Sequence, residues 1–289
     1  MAGEMKMLKS FMKYKHNTKE IRSMRTWLII ALILAMALTA CSSPGKTSTV
    51  EGDLRVITEE YPPYNFTDKD ENITGQCTDI VRAIMNSTGK QIPIETMPLD
   101  EGISLAEKGP GIVIYSLNRT PQREPLFQWV GPISNYEQAF YTKKGSAITI
   151  DSLEDAMEKG VISVYKGDAG AQFLASQGFK NLNESLTDIE ALNKLMDGTA
   201  QLWLGNKKGL DITCEKAGVN PDDLELLPVV VIQAALYIAF SEDVPEGTVS
   251  AWQNALDTLK TERDIDYKTE YEKILAKYSD PEYIQSLQN

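Results

Sequence analysis

Histidine is almost absent from this chain: the one imidazole in 289 residues belongs to His16. His16 lies upstream of an apolar, export-like segment, so a form cut after that segment has no imidazole. A Ser-His-Asp triad, a Cys-His pair and every His-ligated metal site are then excluded. Long apolar runs are scarce as well. The run Trp27 to Leu38 has 12 residues, whereas a membrane span needs about 20. Basic charge is in deficit, with 29 Lys and Arg against 41 Asp and Glu, a formal net charge of −12. Seven of those bases and two of those acids fall in residues 1–40, so the remainder carries a formal −17. A body this acidic repels phosphate backbones and anionic lipid heads, which argues against nucleic acid as a partner. What is present is ordinary for a globular protein: 42% hydrophobic and 24% charged residues, 19 Gly and 13 Pro. Long disorder, collagen and a multi-span membrane protein do not fit these proportions. The length suggests about two folding units.

From Met24 the sequence reads MRTWLIIALILAMALTACSS. Arg25 supplies a short positive start, the apolar run follows, and Leu38-Thr39-Ala40-Cys41 closes it. The run suits the core of a signal peptide. Leu-Thr-Ala-Cys resembles a lipobox, the bacterial-type lipoprotein signal, which implies diacylation of the Cys41 sulfur. Residues 1–40 are therefore read as an upstream extension and signal peptide, with Met24 as an alternative start. Residues 41–52 are read as the lipidated cysteine and a flexible tether containing SSPGKTST. The expected location is extracytoplasmic, anchored to the membrane through Cys41.

Strand and helix signals alternate along the rest, which argues an α/β fold. Leu54 to Ile57 reads as a strand that runs into Thr58-Glu59-Glu60-Tyr61-Pro62-Pro63-Tyr64. Two prolines cannot continue a central strand, so this is a loop at a strand's carboxyl end. Ile80, Val81, Ile84 and Met85 recur at helical spacing, with Gly89 as a stop. Ile92 to Glu95 and Ile112 to Tyr115 read as strands. Ser152 to Gly160 predicts a helix and Val161 to Val164 a strand, after which Lys166-Gly167-Asp168 opens a helix through Gln177. Thr187-Asp188-Ile189-Glu190 reads as a capping box. Gln201 to Leu204, Leu226 to Val231 and Ala234 to Phe240 read as strands, and helices are expected at about 248–260 and 265–278. Two βα blocks joined by extended segments predict two lobes, 53–140 with 240–289 and 141–239. The crossings would be Ala139 to Thr142 and Leu236 to Phe240. Ligands of open α/β sheets bind at the carboxyl ends of strands, so the site would be the cleft, closed by a hinge motion. In an oxidising compartment Cys77 and Cys214 would by default pair. They fall in different predicted lobes, so two buried free thiols are expected.

The segments TEEYPPYNF, TGQCTDIV, VIYSLNRTPQRE and WVGPI resemble family 3 of the extracellular solute-binding proteins, which serve ABC importers of polar amino acids and their relatives. The likeness runs from about residue 53 to the last helix. It implies a two-lobed periplasmic-binding-protein-like fold, with two mixed sheets flanked by helices and joined by two hinge strands. The most specific part is Ser116 to Glu124. Arg123 falls on the arginine that clamps a ligand carboxylate in the family, with Ser116 and Asn118 on its small polar neighbours. Tyr61 and Tyr64 fall on the aromatic first-strand loop, and Gly167-Asp168 on the second-lobe loop that offers backbone N–H groups. Chemistry supports the arginine independently. A guanidinium offers parallel N–H donors to a carboxylate, and such a charged hydrogen bond contributes about 1.5–3 kcal/mol.

Two positions depart from the family pattern. Asn206 stands near the aspartate that holds a ligand ammonium, and Asp168-Ala169 replaces Ser-Thr. Glu59, Glu60 or Asp168 could supply the missing charge, while Asp168 reads equally as a helix N-cap. Arg119 is either a second clamp or a rim charge. Tyr115 and Trp203 end apolar strands and either line the pocket or fill the core. One of Glu59 and Glu60 is expected to face the cleft and the other the solvent. The expected function is capture of a small carboxylate-bearing solute, an amino acid or a relative, and its delivery to an ABC permease. The protein would act as a lipid-anchored monomer without cofactor, metal or catalytic residues. The alternatives are a ligand-sensing ectodomain, or a carboxylate-based enzyme such as a dehydratase on the same scaffold.

Overall fold

The computed structural model describes residues 54–288. His16, the lipobox with Cys41 and the tether lie outside the described residues. Ten strands are described: β1 (Arg55–Thr58), β2 (Phe66–Thr67), β3 (Ile73–Thr74), β4 (Ile94–Thr96), β5 (Ile112–Asn118), β6 (Phe127–Lys143), β7 (Ile162–Tyr165), β8 (Leu182–Ser185), β9 (Leu202–Asn206) and β10 (Leu224–Ser241). The helices are α1 (Gln76–Ser87), α2 (Leu99–Lys108), α3 (Leu153–Met157), α4 (Ala169–Ser176), α5 (Asp188–Met196), α6 (Leu210–Ala217), α7 (Glu246–Thr261), α8 (Glu270–Lys277) and α9 (Pro281–Ser286). Among the described residues no helix is long and apolar enough to cross a membrane.

The fold is α/β, with a mixed sheet flanked by helices. Eight strands form one ladder in the order β4-β1-β5-β10-β6-β9-β7-β8. Its two ends are parallel triplets, β4-β1-β5 and β9-β7-β8. The antiparallel pair β6 and β10 joins them. The two mixed sheets expected from the sequence are thus the two ends of a single ladder. The reason is the length of the joining pair: β6 has 17 residues and β10 has 18. The pair stays in contact through register shifts at 226–230, 230–232 and 236–238, where bulges re-aim the strands.

Each end has its own packing. Strand β5 is buried at all seven positions, as a parallel strand covered on both faces must be. Around it, Val56, Ile57, Ile80, Ile84, Phe240 and Trp252 share one core, so residues from both ends of the described chain build this half. In the other half Ile162, Val164, Leu174, Leu202 and Leu204 form one core. Tyr141, Leu192, Leu195, Trp203 and Cys214 form another. Cys77 and Cys214 are buried free thiols in different halves.

Local expectations need three corrections. Leu226–Val231 and Ala234–Phe240 are not separate strands but parts of the continuous β10. The Thr187 cap is only half a capping box: its side chain accepts from Glu190 N, while the Glu190 carboxylate accepts from Leu186 N. The reciprocal box is at Thr269 and Glu272. Finally, α8 starts at Glu270 rather than 265, because a bridge between Arg263 and Thr269 closes the preceding turn.

Candidate functional site

Strands from the two parallel triplets, which run in opposite directions, end at one place. Glu59 follows β1, the loop carrying Arg123 follows β5, and Gly167-Asp168 follows β7. This is where an open α/β sheet offers unpaired backbone and side chains together. At the end of β5, Ser116 takes the left-handed region at φ 64°, a strained conformation for a residue with a Cβ. Its Oγ is buried with no partner among the described residues. Asn118 Nδ2 donates to Ala235 O at 3.0 Å and so ties the loop to β10.

Arg123 is 3% exposed. Its Nη1 donates to Asn118 O at 3.3 Å within its own half. Its Nη2 donates to Gly167 O at 2.5 Å in the other half. That carbonyl can face the guanidinium because Gly167 sits at φ 81°, a conformation that disfavours a side chain. Arg123 Nε is buried without a partner among the described residues. Burial lowers the guanidinium pKa, and the charges of Asp168 and Glu59 oppose that shift.

The matching anions are equally buried. Glu59 is 4% exposed, and its Oε2 has no partner among the described residues. Burial pushes its carboxyl up to about 8; the Tyr165 hydrogen bond and Arg123 work against that rise, and Asp168 and Asp188 add to it. Asp168 caps α4, with Oδ1 accepting from Gly170 N at 2.7 Å. Burial raises its pKa too, opposed by the Gly170 N–H, Arg123 and Gln138. Asp188, raised to about 7 by burial, accepts from Trp203 Nε1 at 3.0 Å. Rings close the cluster. Tyr61 stacks on Tyr64 with centroids 5.7 Å apart and meets Tyr136 edge-on at 6.3 Å. Gln138 Nε2 donates to the Tyr61 hydroxyl at 3.3 Å, and the Tyr165 hydroxyl accepts from Leu99 N at 3.1 Å. Among the described residues no group of three or more His, Cys, Asp or Glu could hold a metal ion.

Residues 54–281 match the model of the bacterial extracellular solute-binding proteins, family 3. The chain belongs to that family. This solute-binding protein is 30% identical over 105 residues to a protein described as a "probable ABC transporter arginine-binding protein ArtJ" from Chlamydia trachomatis serovar D. The matched stretch covers 36% of this chain and 41% of ArtJ. Solved structures share the fold. A histidine kinase sensor domain similar to periplasmic binding proteins superposes with a TM-score of 0.68 at 20% identity, over 78% of this chain and 95% of that one. An ancestral arginine-binding protein bound to glutamine gives 0.66 at 23%, over 78% and 96%. Holo ArgBP from T. maritima gives 0.64 at 19%, over 78% and 96%.

In this solute-binding protein Arg123, Gly167, Asp168, Tyr61 and Tyr64 come together, and Ser116 and Asn118 shape the loop beneath Arg123. Other residues singled out in the sequence lie elsewhere. Glu60 turns away from the cluster: its carboxylate takes Thr67 N at 3.0 Å and pairs with Lys216 at 2.7 Å. Arg119 is a rim charge, paired with Glu124 and lying over the Trp129 and Tyr237 rings. Tyr115 fills the core, its hydroxyl 2.9 Å from Thr78 Oγ1. Trp203 packs on Tyr141, fully buried in its own half. Asn206 makes a cross-half contact, donating from Nδ2 to Pro62 O at 2.9 Å. Beside it a Cβ on Gly209 would collide with that same carbonyl.

Sequence reasoning did not single out Tyr136, Gln138, Tyr165 or Asp188. A signal existed for the first two. Tyr136, Gln138 and Phe140 alternate along one strand and are all buried, while Glu137 between them reaches out to pair with Lys207. Tyr165 ends a parallel strand just before Gly167, the position from which sites of this fold class are built.

Proposed function

We propose that this protein captures a small charged solute, an amino acid or a relative of one, between its two halves and hands it to an ABC importer. One observation carries the reading: Arg123 and Glu59 from one half and Asp168 from the other are each 5% exposed or less and are brought together with tyrosines. Burying charge is costly, and strained or incompletely partnered groups concentrate where a ligand completes them. The relatives support the direction, since ArtJ is described as an ABC transporter arginine-binding protein. The halves act as lobes, β6 and β10 serve as the hinge, and Cys41 carries the lipid anchor outside the cytoplasm.

The test is isothermal titration and native mass spectrometry of the mature protein against amino acids, amines and organic acids. Tight 1:1 binding, accompanied by a smaller radius of gyration and an unchanged ligand mass, is expected. Silence across the panel, with no copurified solute, sinks the reading. A ligand returned with altered mass would replace it with an enzyme.

A further inference from the structure

The anion-receiving end of the cluster is filled by the protein itself. The Asp168 carboxylate accepts from Gly170 N at 2.7 Å and also engages the Ala171 N–H and Gln138. The first N–H groups of α4, which could have met a ligand anion, therefore hold a side chain. The same carboxylate is the strongest opposite charge felt by Arg123, whose Nη1 and Nη2 donate to Asn118 O and Gly167 O while Nε has no partner among the described residues. A ligand carboxylate brought to Arg123 would be buried within the field of the Asp168 charge, and like charges in a common buried site repel.

The rest of the lining asks for the opposite charge. Glu59 Oε2 and the Tyr136 hydroxyl are buried without partners among the described residues. Burial keeps the Glu59 carboxyl raised to about 8; a cation beside it favours the ionised form, whose oxygens can only accept. Tyr61, Tyr64 and Tyr136 pack ring against ring next to them, and aromatic faces attract cations. The other cation nearby, Lys208, is held by Gln76 Oε1 at 2.5 Å over the Tyr64 ring.

Resting on the reading of this cluster as the solute site, we infer that the ligand is an organic amine cation that needs no carboxylate, with Asp168 standing where a ligand carboxylate would sit. The preferred solute is then the decarboxylated counterpart of a basic amino acid rather than the amino acid.

Matched pairs test this directly: agmatine against arginine and cadaverine against lysine, titrated into the mature protein and into Asp168→Ser. Serine keeps a helix-capping oxygen and removes the charge. In the wild type each amine is expected to bind at least tenfold tighter than its amino acid. In Asp168→Ser that ratio is expected to fall at least tenfold, with the amino acid gaining. The wild-type comparison stands even if the variant misfolds. An amino acid that binds as tightly as its amine, or a ratio unmoved by a folded Asp168→Ser, overturns the inference while the capture function survives. Silence from all four probes also overturns it, and the capture function then depends on the remainder of the solute panel.

Discussion

Two sets of charges cross between the halves, and they differ in what surrounds them. At the rim, Lys166 pairs with Asp100 at 2.6 Å and Lys216 with Glu60 at 2.7 Å, through side chains 22–44% exposed. Inside, Arg123, Glu59 and Asp168 are nearly dry. The rim pairs keep their solvation whether the halves are together or apart, so each contributes only about 0.2–1 kcal/mol. The interior groups would lose theirs in the proposed closure, and their net effect depends on which charges remain unmatched. The comparison assigns two tasks to residues of the same chemical kind. Under the proposed closure, the rim pairs sit at the mouth and the interior groups face the occupant.

Replacing Arg123 by alanine should break the interior set most severely. It leaves the Asp168 carboxylate buried without its cation, which costs about 3–5 kcal/mol, read as a lower Tm in thermal melts. A Tm within error of wild type would mean that the guanidinium is dispensable to the cluster. Next comes the contact beside the set. Gly209→Val places atoms against the Pro62 carbonyl, so closure should be blocked while each half stays folded. Small-angle scattering should show a larger particle and calorimetry at least tenfold weaker binding; an unchanged particle with unchanged affinity would refute the role of that contact.

Glu59→Gln sharpens the comparison through pH. Its carboxyl is raised to about 8 by burial, so the stability it contributes is complete below the ordinary carboxyl range, about 4.3, and is lost as pH rises toward 8. Glutamine does not titrate. Wild type should therefore lose more Tm than the variant between pH 5 and 8, with a gap of about 2–4 °C for each kcal/mol. Parallel curves would place Glu59 in a wetter setting. Asp168 and Asp188, also raised by burial, titrate in the same direction in both proteins. The smallest effect belongs to the rim: Lys216→Ala should change stability by less than about 1 kcal/mol and should respond to salt. A larger, salt-independent loss would move that pair into the interior class.

Much of this was legible from local pattern. Apolar runs ending in turn residues marked the parallel strands, whereas the loop that carries the cation was marked by the resemblance of Ser116 to Glu124 to the family's own loop. Neighbouring residues were harder to separate. Glu59 and Glu60 have the same chemistry, and only backbone direction sends one inward and the other to Lys216. Trp203 and Tyr115 were ambiguous because a strand-terminal ring fits a core and a cleft equally well. Strand β6 was read only near residues 139–142. Its earlier part mixes Gly131, Pro132, Ser134 and Asn135, which weaken any strand signal, and its pairing with β10 prevails over that local preference. The merging of two expected strands into β10 has the same origin: long-range pairing carries the ladder across positions where local sequence suggests a break.

The double crossing by β6 and β10 limits how the molecule can respond. If the halves move as proposed, the pairing of β6 with β10 favours one soft rotation, because shear or twist would break main-chain hydrogen bonds along the ties. An occupant of the proposed cleft would then be reported on a single angular scale. A pair of dyes, one on α8 and one on α5, would read that angle as a distance, and the protein could be calibrated as a one-dimensional gauge.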